Sequence, residues 1–311
     1  GKIIIEMMTR SGRYPPGYAA AITAASATIG PIIPPSIPMV LYALVSNASI
    51  GYLFLGGIIP GLFMGLVLMG MNSWIARRRN FPLEEAVPLR ELPKHTLTAF
   101  PALLMPAILL YGIYGGVATP TEAAAMAAAY ALMLAALLYR VLKVSTLYRI
   151  LVESARSSAA VGIVIGGALI LNYIVASENI PNRVAHVLVG LEIDPLVFLI
   201  GVNIIILLLG CVLDASTLIL VIIPLFLPTC RDLGIDLVHF GVVAVVNCMI
   251  GLITPPYGIL LFVLNAITRI PLAAIIREVW VFLVVLVFAL LILMIFPGVT
   301  RWLPRLFGYA G

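Results

Sequence analysis

Charge is scarce in this chain, and so are the signatures of catalysis. Of its 311 residues only 10% are Asp, Glu, Lys or Arg, while 63% are hydrophobic. Soluble domains carry roughly a quarter charged residues, so this composition cannot furnish a water-facing surface. Cysteine is rare as well. Cys211, Cys230 and Cys248 show no C-x-x-C spacing and lie in or beside apolar runs, which excludes a zinc or redox motif and reads as small buried hydrophobes. There is no HExxH, no nucleophile elbow and no pair of aspartates within the apolar runs, so no catalytic constellation comes into view. No phosphate-cradling loop occurs, so ATP drives nothing within this chain. The net charge of +5 does not indicate nucleic acid, because the basic residues sit in short connections between apolar runs and form no patch.

What the chain does have is apolar length. Runs at 51–75, 100–116, 123–142, 155–176 and 279–296 are close to the roughly 20 residues that cross a bilayer core. Lipid is the solvent that fits them, and helices satisfy their own backbone there. An all-α, polytopic membrane protein is expected. The connection 77–95 carries Arg77, Arg78, Arg79, Arg90 and Lys94; the connection 140–156 carries Arg140, Lys143, Arg149 and Arg156. Two spans separate them, so they share a side, and the positive-inside rule makes it the cytoplasm. Arg10 and Arg13 then fall inside, while 46–51 and 177–194, where Arg183 is the one basic residue, fall outside. The stretch 196–228 is apolar but interrupted at 210–217. A single crossing there would strand Arg269 and Arg277 outside. A re-entrant hairpin keeps them inside and leaves 231–236, Arg301 and Arg305 outside, and is the expected arrangement.

An internal repeat is visible. Ile29-Gly30-Pro31-Ile32-Ile33-Pro34-Pro35 matches Ile250-Gly251-Leu252-Ile253-Thr254-Pro255-Pro256 at five of seven positions. A Gly and a Pro-Pro pair cannot lie inside a continuous helix, so both spans are expected to unwind at mid-depth. Unwound backbone is tolerated in a membrane only where it faces protein or a polar cavity. Freed carbonyls can hold a cation there, and half-helix N-termini can face an anion. Paired broken spans in two halves are the sequence mark of a transporter binding site. The first break runs from inside to outside and the second from outside to inside, so the repeats are inverted. By symmetry, residues 1–8 read as the returning arm of a first hairpin. The chain opens at Gly1-Lys2-Ile3, within an apolar segment, and an incomplete N-terminus is expected.

The run Ala24-Ala25-Ser26-Ala27-Thr28-Ile29-Gly30-Pro31-Ile32-Ile33-Pro34-Pro35-Ser36 resembles the signature of the large membrane subunit of tripartite ATP-independent periplasmic (TRAP) transporters. So does Gly251-Leu252-Ile253-Thr254-Pro255-Pro256-Tyr257-Gly258. Thr119-Pro120-Thr121-Glu122-Ala123-Ala124-Ala125 and 210–228, with Asp214, are similar to further blocks of that family in the same order. The resemblance implies an elevator-type, sodium-coupled importer in the bacterial or archaeal cell (inner) membrane. It further implies a small four-helix membrane subunit and a periplasmic binding protein that delivers a small organic acid, such as a dicarboxylate, 2-oxo acid or sialic acid. On this pattern 1–76 and 196–311 are the two repeats of a transport domain, and 77–195 holds scaffold helices and cytoplasmic loops.

Within that frame the polar residues can be weighed. Asp214 is the one acidic residue deep in an apolar segment, and such carboxylates are functional candidates. It can equally cap the hairpin's second arm through the N–H of Ser216 or Thr217, and the two roles are compatible. Asp214, Ser216, Thr217, Gly251 and Thr254 form one expected Na+ site if the hairpin tip meets the second break. Thr28, Gly30, Ile33 (through its carbonyl) and Ser36 form the symmetric set. Ser and Thr in helices also bond their own i−4 carbonyl. Ser26 and Asn247, at equivalent repeat positions, together with Pro34, Pro35, Pro255 and Pro256, are the candidate substrate contacts; Ser26 and Asn247 can instead bridge helices. Asn172, Asn203 and Asn265 read as structural. Thr119-Pro120-Thr121-Glu122 is a capping box, and Gly56, Gly57, Gly61 and Gly65 form a helix-contact face. Two rivals stand beside the importer: an inverted-repeat carrier for citrate, dicarboxylate or another anion working without a binding protein, and an intramembrane enzyme.

Overall fold

A computed structural model describes residues 1–10, 12, 14–81, 92–178 and 194–310. Arg13, Arg90 and Arg183, and the side chains of Lys94 and Asn172, lie outside the described residues. All regular structure among the described residues is helical. Four helices are long and apolar enough to cross a membrane: Ile50–Arg78, Pro120–Leu138, Val144–Leu171 and Leu272–Ile295. The chain is an all-α polytopic membrane protein. It divides into two compact units, one of Gly1–Pro82 with Val164–Gly311 and one of Leu83–Ile163.

In the first unit, α1 (Lys2–Arg10) leads into α2 (Pro16–Ala27), a break, α3 (Ile37–Ser46) and α4 (Ile50–Arg78). At 1.5 Å per residue, α2 and α3 are each well short of a bilayer, and the broken pair crosses only as a whole. The reason is local. After Ala27 the backbone winds into tight turns (Ile32 N to Ile29 O, 2.9 Å; Ile33 N to Ile29 O, 3.2 Å), and the proline pair ends them. Ser36 restarts the helix: its Oγ accepts from Met39 N at 3.2 Å and donates to the Pro31 carbonyl.

The second unit holds α5 (Leu92–Tyr114), α6 (Pro120–Met133) and the start of α7 (Val144–Ser177). The Thr119 N–H donates to Glu122 Oε2 at 2.8 Å and Glu122 N–H to Thr119 Oγ1 at 3.3 Å, the expected capping box. Tyr130 ties α6 to α5 by donating to the Pro101 carbonyl at 2.9 Å.

The chain re-enters the first unit in α7. Then follow α8 (Pro195–Gly210), short helical turns (Ala215–Thr217, Leu218–Ile222, Ile223–Leu225) and α9 (Leu227–Asp232). After them come α10 (Leu237–Gly251), a second break, α11 (Ile259–Thr268), α12 (Leu272–Ile295) and α13 (Gly298–Leu306). The start of α8, at Pro195, Leu196 and Leu199, lies with Leu233, Asp236 and His239 around one cavity. The end of α8 at Gly210 touches Gly251 at the end of α10. Residues 211–232 must therefore return to the level they left, which makes 195–232 a re-entrant hairpin.

The repeats are inverted. Pro16, Thr268 and Ile270 line one cavity, and Arg79 pairs with Glu278 at 2.8 Å; this end carries Arg10, Arg77, Arg78, Arg79, Arg269 and Arg277. Asn47, Ser49, Arg231, Asp236 and Arg301 line a cavity at the opposite end. By the positive-inside rule the first end is cytoplasmic. The second copy is one residue longer. Asn47 and Arg269 end α3 and α11 in the same left-handed conformation (φ 60° and 59°), but Gly258 is inserted before α11 and takes φ 48°.

Close packing explains the small residues. A Cβ on Gly57 would lie 2.5 Å from the Ile32 carbonyl oxygen, and one on Gly61 would run into the Ile33 side chain, so α4 cradles the first break. Gly56 faces the Thr300 carbonyl at 3.1 Å and Val242 at 3.2 Å. The buried ring of Tyr42, on α3, lies against Gly241 of α10 where no Cβ would fit, and its hydroxyl donates to the Leu237 carbonyl at 2.7 Å.

Candidate functional site

The two broken helices cross. α2 packs beside α11 and α3 beside α10, so each half-helix lies against the opposite half of the other repeat. Both breaks therefore sit at one level. Both carry a cis Pro-Pro bond, Pro34-Pro35 and Pro255-Pro256, and the second proline of each pair is exposed.

The hairpin tip meets the second break through backbone. A Cβ on Gly251 would lie 2.9 Å from Gly210 Cα, and Gly258 N–H donates to the Cys211 carbonyl at 3.2 Å. Asp214 stands at this tip. Its carboxylate accepts from Ser216 N at 2.9 Å, from Thr217 N at 3.2 Å and from the Thr217 hydroxyl. Asp214 thus caps the returning arm as the sequence suggests, while its side chain remains exposed. In the break, buried Thr254 donates to the Ile250 carbonyl at 2.8 Å. The tip and break thus bring Asp214, Ser216, Thr217, Gly251 and Thr254 into one region.

The first break holds the corresponding set. Thr28 is buried and donates to the Ala25 carbonyl at 2.7 Å. Ser36 is buried as the cap of α3, Gly30 is exposed, and Ile33 leans on α4. In both sets each Thr hydroxyl spends its proton on a neighbouring oxygen and keeps lone pairs. The donors are all hard oxygens, which suits an alkali cation. Neither the breaks nor the tip contain Lys or Arg. Among the described residues no three His, Cys, Asp or Glu side chains gather in a metal cluster.

The pair at equivalent repeat positions is split. Ser26 is exposed and donates to the Thr23 carbonyl at 3.1 Å. Asn247 is fully buried, and its amide donates to the Asn203 carbonyl at 2.6 Å and to Asn203 Oδ1 at 2.8 Å. It bridges α10 to α8, and no part of it reaches the surface in this conformation. Asn203 in turn donates to the Leu199 carbonyl at 2.8 Å. The sequence singled out both asparagines but not their pairing. Gly210 and the Cys211 carbonyl were missed as partners of the break; the signal was a glycine closing each of two apolar helices.

Comparison with known proteins follows from here. Residues 1–299 match the family model described as "Tripartite ATP-independent periplasmic transporter, DctM component". The chain is 40% identical to the C4-dicarboxylate TRAP transporter large permease protein DctM of Pseudomonas aeruginosa, covering 99% of this chain and 72% of the relative. It is also 40% identical to the sialic acid TRAP transporter large permease protein SiaM of Vibrio cholerae, with the same coverage of 99% and 72%. It is 35% identical to the 2,3-diketo-L-gulonate TRAP transporter large permease protein YiaN of Escherichia coli, over 94% of this chain and 69% of the relative.

Proposed function

The chain belongs to the DctM component family of tripartite ATP-independent periplasmic transporters, and on that premise we propose that it couples import of a small organic acid to sodium. Family membership makes it a transporter subunit of the inner membrane that works with a periplasmic binding protein, and not an enzyme. Its relatives are named for a dicarboxylate, a sialic acid and a diketo sugar acid, and the substrate here belongs to the same class of carboxylates. A small four-helix membrane subunit completes the complex.

The observation that carries the ion reading is the meeting of the Asp214-bearing tip with the second break, through Gly210–Gly251 and Cys211–Gly258. Sodium, once bound, supplies the positive charge that the breaks lack. Asp214, Ser216, Thr217, Gly251 and Thr254 would hold one ion; Thr28, Gly30, Ile33 and Ser36 would contribute to another. An anionic substrate then lies between the breaks, against Ser26 and the exposed edges of the proline pairs. The repeat block moves as an elevator relative to the scaffold helices.

The test is uptake of a labelled carboxylate panel into proteoliposomes holding the full-length subunit, its small subunit and its binding protein, with and without an inward sodium gradient. Sodium-dependent uptake lost in Asp214→Asn supports the reading. Uptake that ignores sodium, or that persists without the binding protein, favours a carrier of the citrate or dicarboxylate type.

A further inference from the structure

The end of the first unit opposite the arginine-rich one holds a cavity of about 730 Å³. It lies apart from the breaks, and its wall is cationic. Arg231, Arg301 and Arg305 all line it. Arg231 donates through Nη2 to the Ser46 carbonyl at 3.2 Å, leaving its other N–H groups available. Arg301 Nε is buried without a hydrogen-bond partner, and Arg305 is exposed. Among the described residues none of the three pairs with a carboxylate.

Two further features add to this. The cavity is also lined by Ser49, the N-cap of the 29-residue α4, whose side chain makes no cap bond. The positive end of that helix therefore opens into the cavity. Tyr309 lines it too. Burial, followed by the neighbouring Asp236, pushes its phenol up to about 12, so it remains a neutral O–H donor. Against three guanidiniums stands one carboxylate, Asp236. One of its oxygens is engaged in capping α10, accepting from His239 N at 2.9 Å, while Oδ2 is buried and unpartnered. Basic residues on this side run against the orientation rule, and their gathering around one hollow gives them a shared purpose.

We propose that this cavity binds a small oxyanion, a carboxylate or a phosphate group, at the outer end of the protein. Planar guanidiniums match such groups with paired N–H donors. The chemistry is the same whether the occupant is a free acid or the phosphate of a lipid headgroup. Asp236 sets an upper limit on the affinity. The site is independent of the ion-coupling reading.

The test uses the full-length membrane complex in nanodiscs of neutral phosphatidylcholine, without sodium and without binding protein. Inorganic sulfate and succinate are titrated calorimetrically at constant ionic strength against chloride. Binding of both probes that weakens as salt is raised is expected. Arg305→Gln, an exposed change, should weaken it about tenfold, the loss of one charge-assisted bond. Asp236→Asn, which preserves the cap of α10, should tighten it several-fold. Opposite shifts in two variants that melt like the wild type cannot come from general damage. Sulfate that binds no better than chloride, or variants that shift affinity in the same direction, would overturn the proposal. Discs containing phosphatidylglycerol separate the sources: loss of sulfate binding there identifies a lipid headgroup as the occupant, and unchanged binding identifies a free acid.

Discussion

Replacing Gly251 with alanine tests the contact on which the ion site depends. The new Cβ would lie 2.9 Å from Gly210 Cα, 3.0 Å from its carbonyl carbon and 3.1 Å from its carbonyl oxygen. Ordinary carbon contacts sit at about 3.5–4.0 Å, so the end of α8 must move by roughly 0.5–1 Å. No side chain can yield instead, because every atom met is backbone. Overpacking of this kind costs about 1–3 kcal/mol, and alanine's better helix propensity returns at most about 1 kcal/mol at the end of α10. A net loss of about 1–2 kcal/mol concentrated on the tip-to-break contact corresponds to a 5–30-fold weaker sodium dependence. Gly210→Ala meets the same contact from the other side at 3.2 Å and should be milder. The double variant should fall short of the sum, since both changes strike one contact. Gly70→Ala, with nothing within 4 Å, is the control. The assay is the sodium dependence of uptake in proteoliposomes, with thermal unfolding beside it. A Gly251→Ala protein with wild-type sodium dependence and wild-type unfolding would refute the reasoning, as would a Gly70→Ala protein equally impaired.

Other substitutions separate roles that geometry superimposes. Asp214→Asn keeps the helix cap and removes the charge, so it should unfold like the wild type yet lose sodium-driven uptake, whereas Asp214→Ala should also lose about 0.5–2 kcal/mol of stability; normal transport in Asp214→Asn would leave Asp214 with capping alone. Asn247→Ala removes both bonds to Asn203 and leaves buried acceptors unpaired, at a cost of about 1–3 kcal/mol readable as a lower unfolding temperature; an unchanged temperature would remove the bridge from the account. Gly17→Ala would place a Cβ 2.6 Å from the Ala274 carbonyl oxygen, forcing α2 from α12, and should destabilise by about 1–3 kcal/mol in the same measurement.

Much of this architecture was legible because it depends on residues with few alternatives. A Gly with a Pro-Pro pair can only interrupt a helix, so both breaks could be placed from sequence. The charge distribution required the 196–228 stretch to return, and the cavity shared by Pro195 and Asp236 shows that it does. Thr119 and Glu122 form their capping box because its partners are three residues apart. What could not be read depends on which surfaces meet. Ser26 and Asn247 are equivalent in the repeat, yet one is exposed and the other buried, because α8 covers only the second. Gly251 was singled out for its carbonyl, but its lack of a side chain is what lets α8 approach. The last apolar run appeared as a single span with a tail; Pro297 divides it, and α13 turns back onto α4, which gives Arg301 and Arg305 a cavity to face.

The seating of Tyr42 on Gly241 has a mechanical consequence. A ring pressed on a bare backbone and pinned by its hydroxyl to Leu237 acts as a rivet through two crossing beams. Sliding one beam along the other would shear the rivet, whereas carrying both together leaves it unloaded. The repeats therefore have far fewer relative degrees of freedom than two independently folded halves would have. A force applied to either broken helix is transmitted to the other as a displacement of the whole block.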